Sequence, residues 1–341
     1  MTEIRIDPLS GHRTSVAGER SRRPGGAPGL PPEQRVPETI DPERDPFAEG
    51  NEDRTPPELY ALRRDRGAPN SPGWTVRVVR NLYPALADGG AGSAPEHGVR
   101  EARGRAPGAD ELFESRPASG AHEVIVNGPQ PVTSLAQLSL EQVLTAVEVW
   151  RERMRAHASS ACVQLIVNER REAGASLPHT HAQLYALDFV PAAVARERER
   201  FGAYATRTLG QNLLGDLVAE EVRRQERIVA IDAEAVLMAP YASRLPFQLM
   251  LAPRTPRARF EEQGPSGAAV LHDCLCSLAR YLGASPPLNL WVRTAPLGAE
   301  HFCWRIDVLP RLTHLAGLEL STDVNINIVA PEHAATLLRE A

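Results

Sequence analysis

Short alternating runs of apolar and polar residues recur along the chain, and they predict strands. Ile4 and Ile6 alternate with charges ahead of the turn signal Asp7-Pro8-Leu9-Ser10-Gly11. Trp74 to Arg80, His122 to Val126 and the buried-type run Cys162 to Val167 read as strands. Ser139-Leu-Glu-Gln142 reads as a capping box. The helix it opens carries Leu140, Val143, Leu144, Val147 and Met154 at helical spacing. Pro191 opens a charged helical segment to about Leu214, with Arg196 to Arg200 as a solvated face. Further strands are predicted at Ile228–Ile231, Ala235–Met238, Phe247–Leu251, Leu288–Val292 and Phe302–Leu309, with an amphipathic helix over Gly267–Leu282. Residues 25–57 are rich in Pro, Gly and acid and read as mostly irregular; residues 87–120 lack periodicity and read as a flexible insertion.

The two halves repeat one order: strands, a helix, a strand, a loop, then a strand bearing polar groups. That strand carries His179-x-His181-x-Gln183 in the first half and His301-x-Cys303-x-Arg305 in the second. The pattern reads as a duplicated unit with one site retained and the other altered.

The richest stretch is Ala173 to Leu187. A period of two puts His179, His181, Gln183 and Tyr185 on one face and Thr180, Ala182, Leu184 and Ala186 on the other. A neutral imidazole attacks phosphorus near neutral pH, and a nucleotidylated imidazole passes its group on. His181 is therefore the candidate nucleophile. The backbone at His179 can orient its ring, and Ser176 and Gln183 can donate to phosphoryl oxygens. Asn168 joins them if its strand is a neighbour. The alternative is a pair of half-buried strand histidines satisfied locally.

Composition narrows the field. The 341 residues suffice for two domains, and a net charge of −5 argues against a general nucleic-acid binder. All 38 basic residues are arginine, so Schiff-base chemistry and a P-loop lysine are excluded. Arginine then serves wherever phosphate is gripped, although a GC-rich genome is the commoner cause of such a bias. Arg20-Ser-Arg-Arg23-Pro24 is a solvated charge run or a phosphate clamp. Cys162, Cys274, Cys276 and Cys303 form no Cys-x-x-Cys pair, so neither a disulfide framework nor a thiolate zinc site is expected. The N-terminus has no signal-like apolar stretch and no run reaches membrane-spanning length; a cytoplasmic protein is expected.

Asn168 followed by Ala173-Gly-Ala-Ser176-Leu-Pro-His179-Thr-His181-Ala-Gln183 resembles the galactose-1-phosphate uridylyltransferase family of the histidine-triad superfamily. Arg5 to Gly11 through Arg20-Ser-Arg-Arg23-Pro, Asp45-Pro-Phe-Ala48 to Pro57, Val79 to Leu86, His122 to Val126, and Val308-Leu-Pro-Arg-Leu312 with Gly317-Leu-Glu319 are similar to it in the same order. The resemblance implies an α+β fold of two tandem histidine-triad-like halves, antiparallel sheets with packed helices, divided at 1–195 and 196–341. It implies a homodimer that exchanges UMP between a UDP-hexose and a hexose 1-phosphate by a ping-pong route. His181 would become uridylylated, Ser176 and Gln183 would touch the phosphates, and Asn168 would support the site. Arg20 and Arg23 fall where the family grips the diphosphate, and Asn81 where it meets the nucleotide. The partners would be a nucleotide sugar and a sugar 1-phosphate. A nucleotide-sugar phosphorylase or hydrolase using the same histidine, and a non-catalytic nucleotide-binding protein, are the competing readings.

Departures from the family pattern cluster at its metal positions. Asp45-x-x-Ala48 stands where the family has Cys-x-x-Cys, and Pro131 stands where it has a histidine, leaving His179 alone of four ligands. One imidazole does not make a structural zinc site, although Asp45 with His179 could keep weak affinity. In the second half Cys303-Trp304-Arg305 replaces His-Trp-His, Arg293 replaces another histidine, and only Glu197 survives. No metal, zinc or iron, is expected at either place, with Arg293 and Arg305 pairing to Glu197 or another acid instead. Thr180 replaces the middle proline of His-Pro-His, and Arg170 and Thr313 depart at the nucleotide loop and at a basic sugar-phosphate contact.

Overall fold

A computed structural model describes residues 2–22, 29–36, 38–65, 67–88, 112, 115–262, 264 and 266–341. Arg23 and most of the 87–120 insertion lie outside them. The fold is mixed α+β and is organised by one large sheet. The first half supplies β3 (Glu58–Arg63), β4 (Trp74–Arg80), β6 (Ser119–Val126), β7 (Cys162–Glu169) and β8 (His181–Leu187). The second supplies β9 (Ile228–Ile231), β10 (Ala235–Met238), β11 (Leu249–Pro253), β12 (Leu288–Arg293) and β13 (Arg305–Pro310). Their order is β3-β4-β6-β8-β7-β12-β13-β11-β10-β9, with the short β5 (Ala87–Asp88) beside β6. A separate small sheet joins β1 (Glu3–Ile6) and β2 (Arg13–Val16) to β14 (Val324–Asn327), tying the two ends of the chain together.

The order is a palindrome, and the register follows it. Val163, Leu165 and Val167 of β7 face Ala186, Leu184 and Ala182 of β8. Leu288, Leu290 and Val292 of β12 face Pro310, Val308 and Ile306 of β13 in the same pattern. At the centre β7 and β12 pair reciprocally, Leu165 with Val292 and Val167 with Leu290. The duplication read from the sequence is therefore a pseudo-two-fold about the β7–β12 seam. Under it Arg305 corresponds to His181, Asp307 to Gln183 and Arg293 to Asn168.

One face of the sheet is covered by helices α1 (Leu140–Ala156), α4 (Ala268–Leu282) and α6 (Pro331–Arg339) over a continuous apolar core. Ser139 caps α1 as expected, accepting from the Gln142 N–H. The Gln142 side chain does not close a capping box; it reaches the carbonyls of Thr75 and Asn127 at 2.8 and 2.6 Å. The box lies one turn of chain earlier, at Ser134 and Gln137. Leu140 and Leu144 also turn outward, and Val143, Ala146, Val147, Trp150 and Met154 make the buried stripe. On the opposite face lie α2 (Ala192–Thr208) and α3 (Leu213–Arg224), and α5 (Gly317–Thr322) follows β13. The single helical segment expected from Pro191 to Leu214 is thus two helices. It breaks at left-handed Leu209, and Asn212 caps α3 through the Gly215 N–H. The last polar strand begins at Arg305, so His301 and Cys303 lie in the loop before it.

Glu169 closes β7 on the core side, with no cation beside it among the described residues. Its carboxylate accepts from the Leu135 N–H at 2.6 Å and the Ser134 hydroxyl at 2.7 Å. Burial, the dominant influence, pushes its pKa up from 4.5 to about 7, against those two hydrogen bonds. The folded state thus holds this proton more tightly than the unfolded chain. Stability falls as pH rises from 4.5 to about 7, a loss on the order of 3 kcal/mol that is complete above that range. Glu169→Gln keeps the shape and should remove this slope, gaining most over wild type in urea unfolding at about pH 8 and little at about pH 5.

Candidate active site

The loop before β8 is held by the core beneath it. Trp150 donates its indole N–H to Asn127 Oδ1 at 2.9 Å, and Asn127 donates its amide to Thr180 Oγ1 at 3.1 Å. Thr180 N–H donates to the Val132 carbonyl at 2.8 Å. Thr180 is thus locked between the two histidines, with its side chain on the core side as the period of two requires.

His179 is 0% exposed. Its Nδ1 lies 2.6 Å from Asp45 Oδ2, and its Nε2 donates to the Gly128 carbonyl at 2.8 Å. Both ring nitrogens are engaged by oxygen atoms, so the ring and the carboxyl group form a buried, hydrogen-bonded pair. The His179 carbonyl accepts from His181 Nδ1 at 2.7 Å. That bond assigns the His181 proton to Nδ1 and leaves the lone pair on Nε2. His181 is 4% exposed, and Phe47 stands edge-on to its ring at 5.2 Å. Burial lowers its pKa below the ordinary 6.5, outweighing the carbonyl bond that would raise it. The free-base imidazole is the state at neutral pH. A nucleophile of this kind should react at a rate that stays flat as pH falls through 6.5, declining only at more acid pH, in a pH–rate profile of histidine labelling.

Two side chains flank it on the same face. Ala85 N–H donates to His122 Nδ1 at 3.2 Å, so His122 Nε2 carries a proton and donates to Gln183 Oε1 at 3.0 Å. The Tyr185 hydroxyl donates to the same oxygen at 2.9 Å, and its ring stacks on His122 at 4.1 Å. With Oε1 filled from two sides, the Gln183 amide is oriented with its NH2 as the donor group. Asn81 Nδ2 lies 3.1 Å from His122 Nε2. Asn81, Gln183, His181 and Ser176 line one cleft of about 440 Å³ with Phe47, Arg54 and Tyr83. A neutral nucleophile with convergent donors at the wall of a cleft this size suits attack on a phosphoryl group bearing a nucleoside.

Residues 69–191 match the galactose-1-phosphate uridyl transferase N-terminal domain, and residues 138–340 match a domain of unknown function, DUF4921. The ADP-glucose phosphorylase of Arabidopsis thaliana is 26% identical over 352 residues, 99% of this chain and 92% of its own. A Cryptococcus neoformans galactose-1-phosphate uridylyltransferase is 29% identical over 258 residues, 68% of this chain and 67% of its own. The crystal structure of the Arabidopsis ADP-glucose phosphorylase with bound ADP-glucose superimposes with a TM-score of 0.78 at 24% identity, covering 100% of this chain and 99% of that one. By the longer match the chain belongs to the DUF4921 family, and its first half is similar to the galactose-1-phosphate uridyl transferase N-terminal domain.

Asn168 and Arg20, which the sequence assigned to the uridylyltransferase site, do not line this cleft. Asn168 lies one strand over on the same face, where its Oδ1 accepts from Asn289 at 2.8 Å, and it lines a neighbouring depression with Trp291 and Arg244. Arg20 is exposed in the turn Gly18–Arg22. Arg23 is outside the described residues. Conversely, Asp45, Phe47, Arg54, His122 and Tyr185 belong to the site or its support. Tyr185 was visible on the histidine face by period alone; Asp45, Phe47 and Arg54 all lie in the Asp45 to Pro57 motif stretch, without a side-chain role attached to Phe47 or Arg54 there.

The pseudo-equivalent position in the second half has become an ionic cluster. Arg305 makes a bidentate pair with Glu197, at 2.9 and 3.0 Å, and its Nε donates to Asp307 at 2.9 Å. Arg293 Nε stands 3.4 Å from Glu197. Glu197 is 3% exposed, so the Arg196–Arg200 run is not a uniformly solvated face. A guanidinium thus stands in the second half where the first half has the His181 imidazole. Among the described residues no helix is long and apolar enough to cross a membrane.

Proposed function

We propose that this protein is a nucleotidyltransferase acting on nucleotide sugars through His181. Nε2 attacks the α-phosphorus, the bond from that phosphorus to the sugar 1-phosphate breaks, and a nucleotidyl-histidine remains. A phosphate oxygen of the acceptor then attacks the same phosphorus and frees the imidazole, a ping-pong cycle. With a hexose 1-phosphate as acceptor and UDP-hexose as donor, the net reaction is exchange of UMP. The observation that carries this reading is the free-base His181, its proton held on Nδ1 by the His179 carbonyl and its Nε2 side at the Gln183–Ser176–Asn81 cleft. Gln183 and Ser176 would meet the phosphoryl oxygens and Asn81 the nucleoside side. Arg20, exposed in the turn Gly18–Arg22, and Arg23 would serve the diphosphate as the family resemblance implies, and the active unit would be a homodimer. A cytoplasmic setting suits these substrates.

A second reading has its own support. Similarity to an ADP-glucose phosphorylase spans 99% of the chain, and it favours inorganic phosphate as acceptor and an adenine nucleotide as donor. The covalent half-reaction is the same. Incubation with UDP-glucose or ADP-glucose labelled at the α-phosphate should place label on the wild-type protein. Chasing with galactose 1-phosphate, with phosphate or with water then distinguishes transferase, phosphorylase and hydrolase. Absence of label with either donor would refute both readings.

A further inference from the structure

The family resemblance implies metal ions at two places, and the side chains now there do not fit them. At the first, a zinc ion on His179 would need a bare ring nitrogen. Nδ1 is engaged by Asp45 at 2.6 Å and Nε2 by the Gly128 carbonyl at 2.8 Å. The second thiolate position is the methyl of buried Ala48, inside a turn closed by its N–H to the Asp45 carbonyl at 3.2 Å. At the second, Arg293 and Arg305 put positive charge where a cation would sit, and Arg305 occupies both oxygens of Glu197. Among the described residues no group of three or more His, Cys, Asp or Glu is arranged to hold a metal.

We propose that a buried Asp–His hydrogen-bonded pair and a buried ion-pair cluster take over the fastening, so that this chain folds and reacts without metal. The Asp45–His179 pair clamps the loop around residues 41–55, which is outside the sheet, onto the start of β8. The Glu197–Arg305–Asp307–Arg293 cluster clamps α2 onto β12 and β13 near the centre of the sheet. The first clamp lies just before β8, and the second is built on β12 and β13 themselves, at the positions that the pseudo-two-fold relates to Asn168, His181 and Gln183.

The first clamp also reaches the nucleophile. The His179 carbonyl is the acceptor that fixes the His181 tautomer, and Phe47, two residues from Asp45, packs edge-on to both rings at 6.2 and 5.2 Å. Asp45 is therefore a positioning residue: it touches neither substrate nor the reacting atoms, but it sets where His181 Nε2 lies.

The test has two arms. In the first, purified full-length wild type is analysed for zinc and iron, then heated with and without EDTA or 1,10-phenanthroline. Metal well below one equivalent and an unchanged unfolding temperature are expected; a stoichiometric metal, or a chelator-induced drop, would overturn the proposal. This arm is independent of catalysis. In the second, which rests on the nucleotidyl-transfer reading, Asp45→Asn keeps size and loses charge. Labelling of His181 should slow on the order of 10²-fold while calorimetric affinity for the nucleotide sugar is retained. Equal labelling rates would remove the positioning role. If Asp45→Asn does not fold, the chelator arm on wild type still decides. A wild type that takes no label from any donor would refute the proposed function and leave the metal question standing on the first arm.

Discussion

His181→Asn should abolish covalent labelling by a nucleotide sugar while the folded protein still binds it. The expected loss is at least about 10³-fold, the scale seen when a covalent nucleophile is removed. Asparagine cannot form the intermediate, yet it is small enough to sit beneath Phe47, and its amide can still donate to the His179 carbonyl as Nδ1 does at 2.7 Å. Cleft shape is thereby kept. Binding that survives without labelling would tie the chemistry to one atom, Nε2. Labelling that persists would move the nucleophile elsewhere, and His122 would be the next residue to examine. Its Nε2, however, is committed to Gln183 at 3.0 Å.

The second large effect is on stability. Glu197→Ala removes the anion shared by Arg305 and Arg293 and leaves Arg305 with Asp307 as its ion-paired carboxylate. Asp307 is a weak substitute, because burial raises its pKa despite Arg305 beside it. Breaking one partner of a buried ionic cluster costs about 3–5 kcal/mol, since the remaining charges stay desolvated. Urea unfolding of Glu197→Ala should show that loss. Glu197→Met with Arg293→Met and Arg305→Met removes most of the buried charge and should recover much of it, since apolar replacement of such clusters is often neutral. A single substitution as harmless as the triple one would mean that water reaches the cluster.

Much of this was legible along the chain. Each strand and helix with a clear period appears within a few residues of its expected place, and the face shared by His181, Gln183 and Tyr185 follows from the period of two. The repeated order of elements foreshadowed the palindromic sheet. What escaped was set by distant partners. His179 meets Asp45 across 134 positions, and Arg305 meets Glu197 across 108. No local window contains such pairs, so Glu197 in a run of arginines and glutamates read as solvated. Leu140 and Leu144 fit the helical pattern of α1 as well as Ala146 and Trp150 do; only the position of the sheet selects which stripe is buried. The break before α3 was nearer to reach. Gly210 and Asn212 are a stop and a cap in plain sight, masked by the charged periodicity on either side.

The reciprocal pairing of β7 with β12 has a bearing on how such a chain arose. Residue for residue, that seam is what two identical copies of one half would form by joining edge to edge about a two-fold axis. An ancestral half-length protein would have been an obligate pair, each copy covering the other's open strand and each carrying a histidine. Fusion made the pairing permanent and let the copies diverge. In this chain one copy presents the His181 imidazole at its polar strand, and the other presents at the corresponding place the ionic anchor around Arg305.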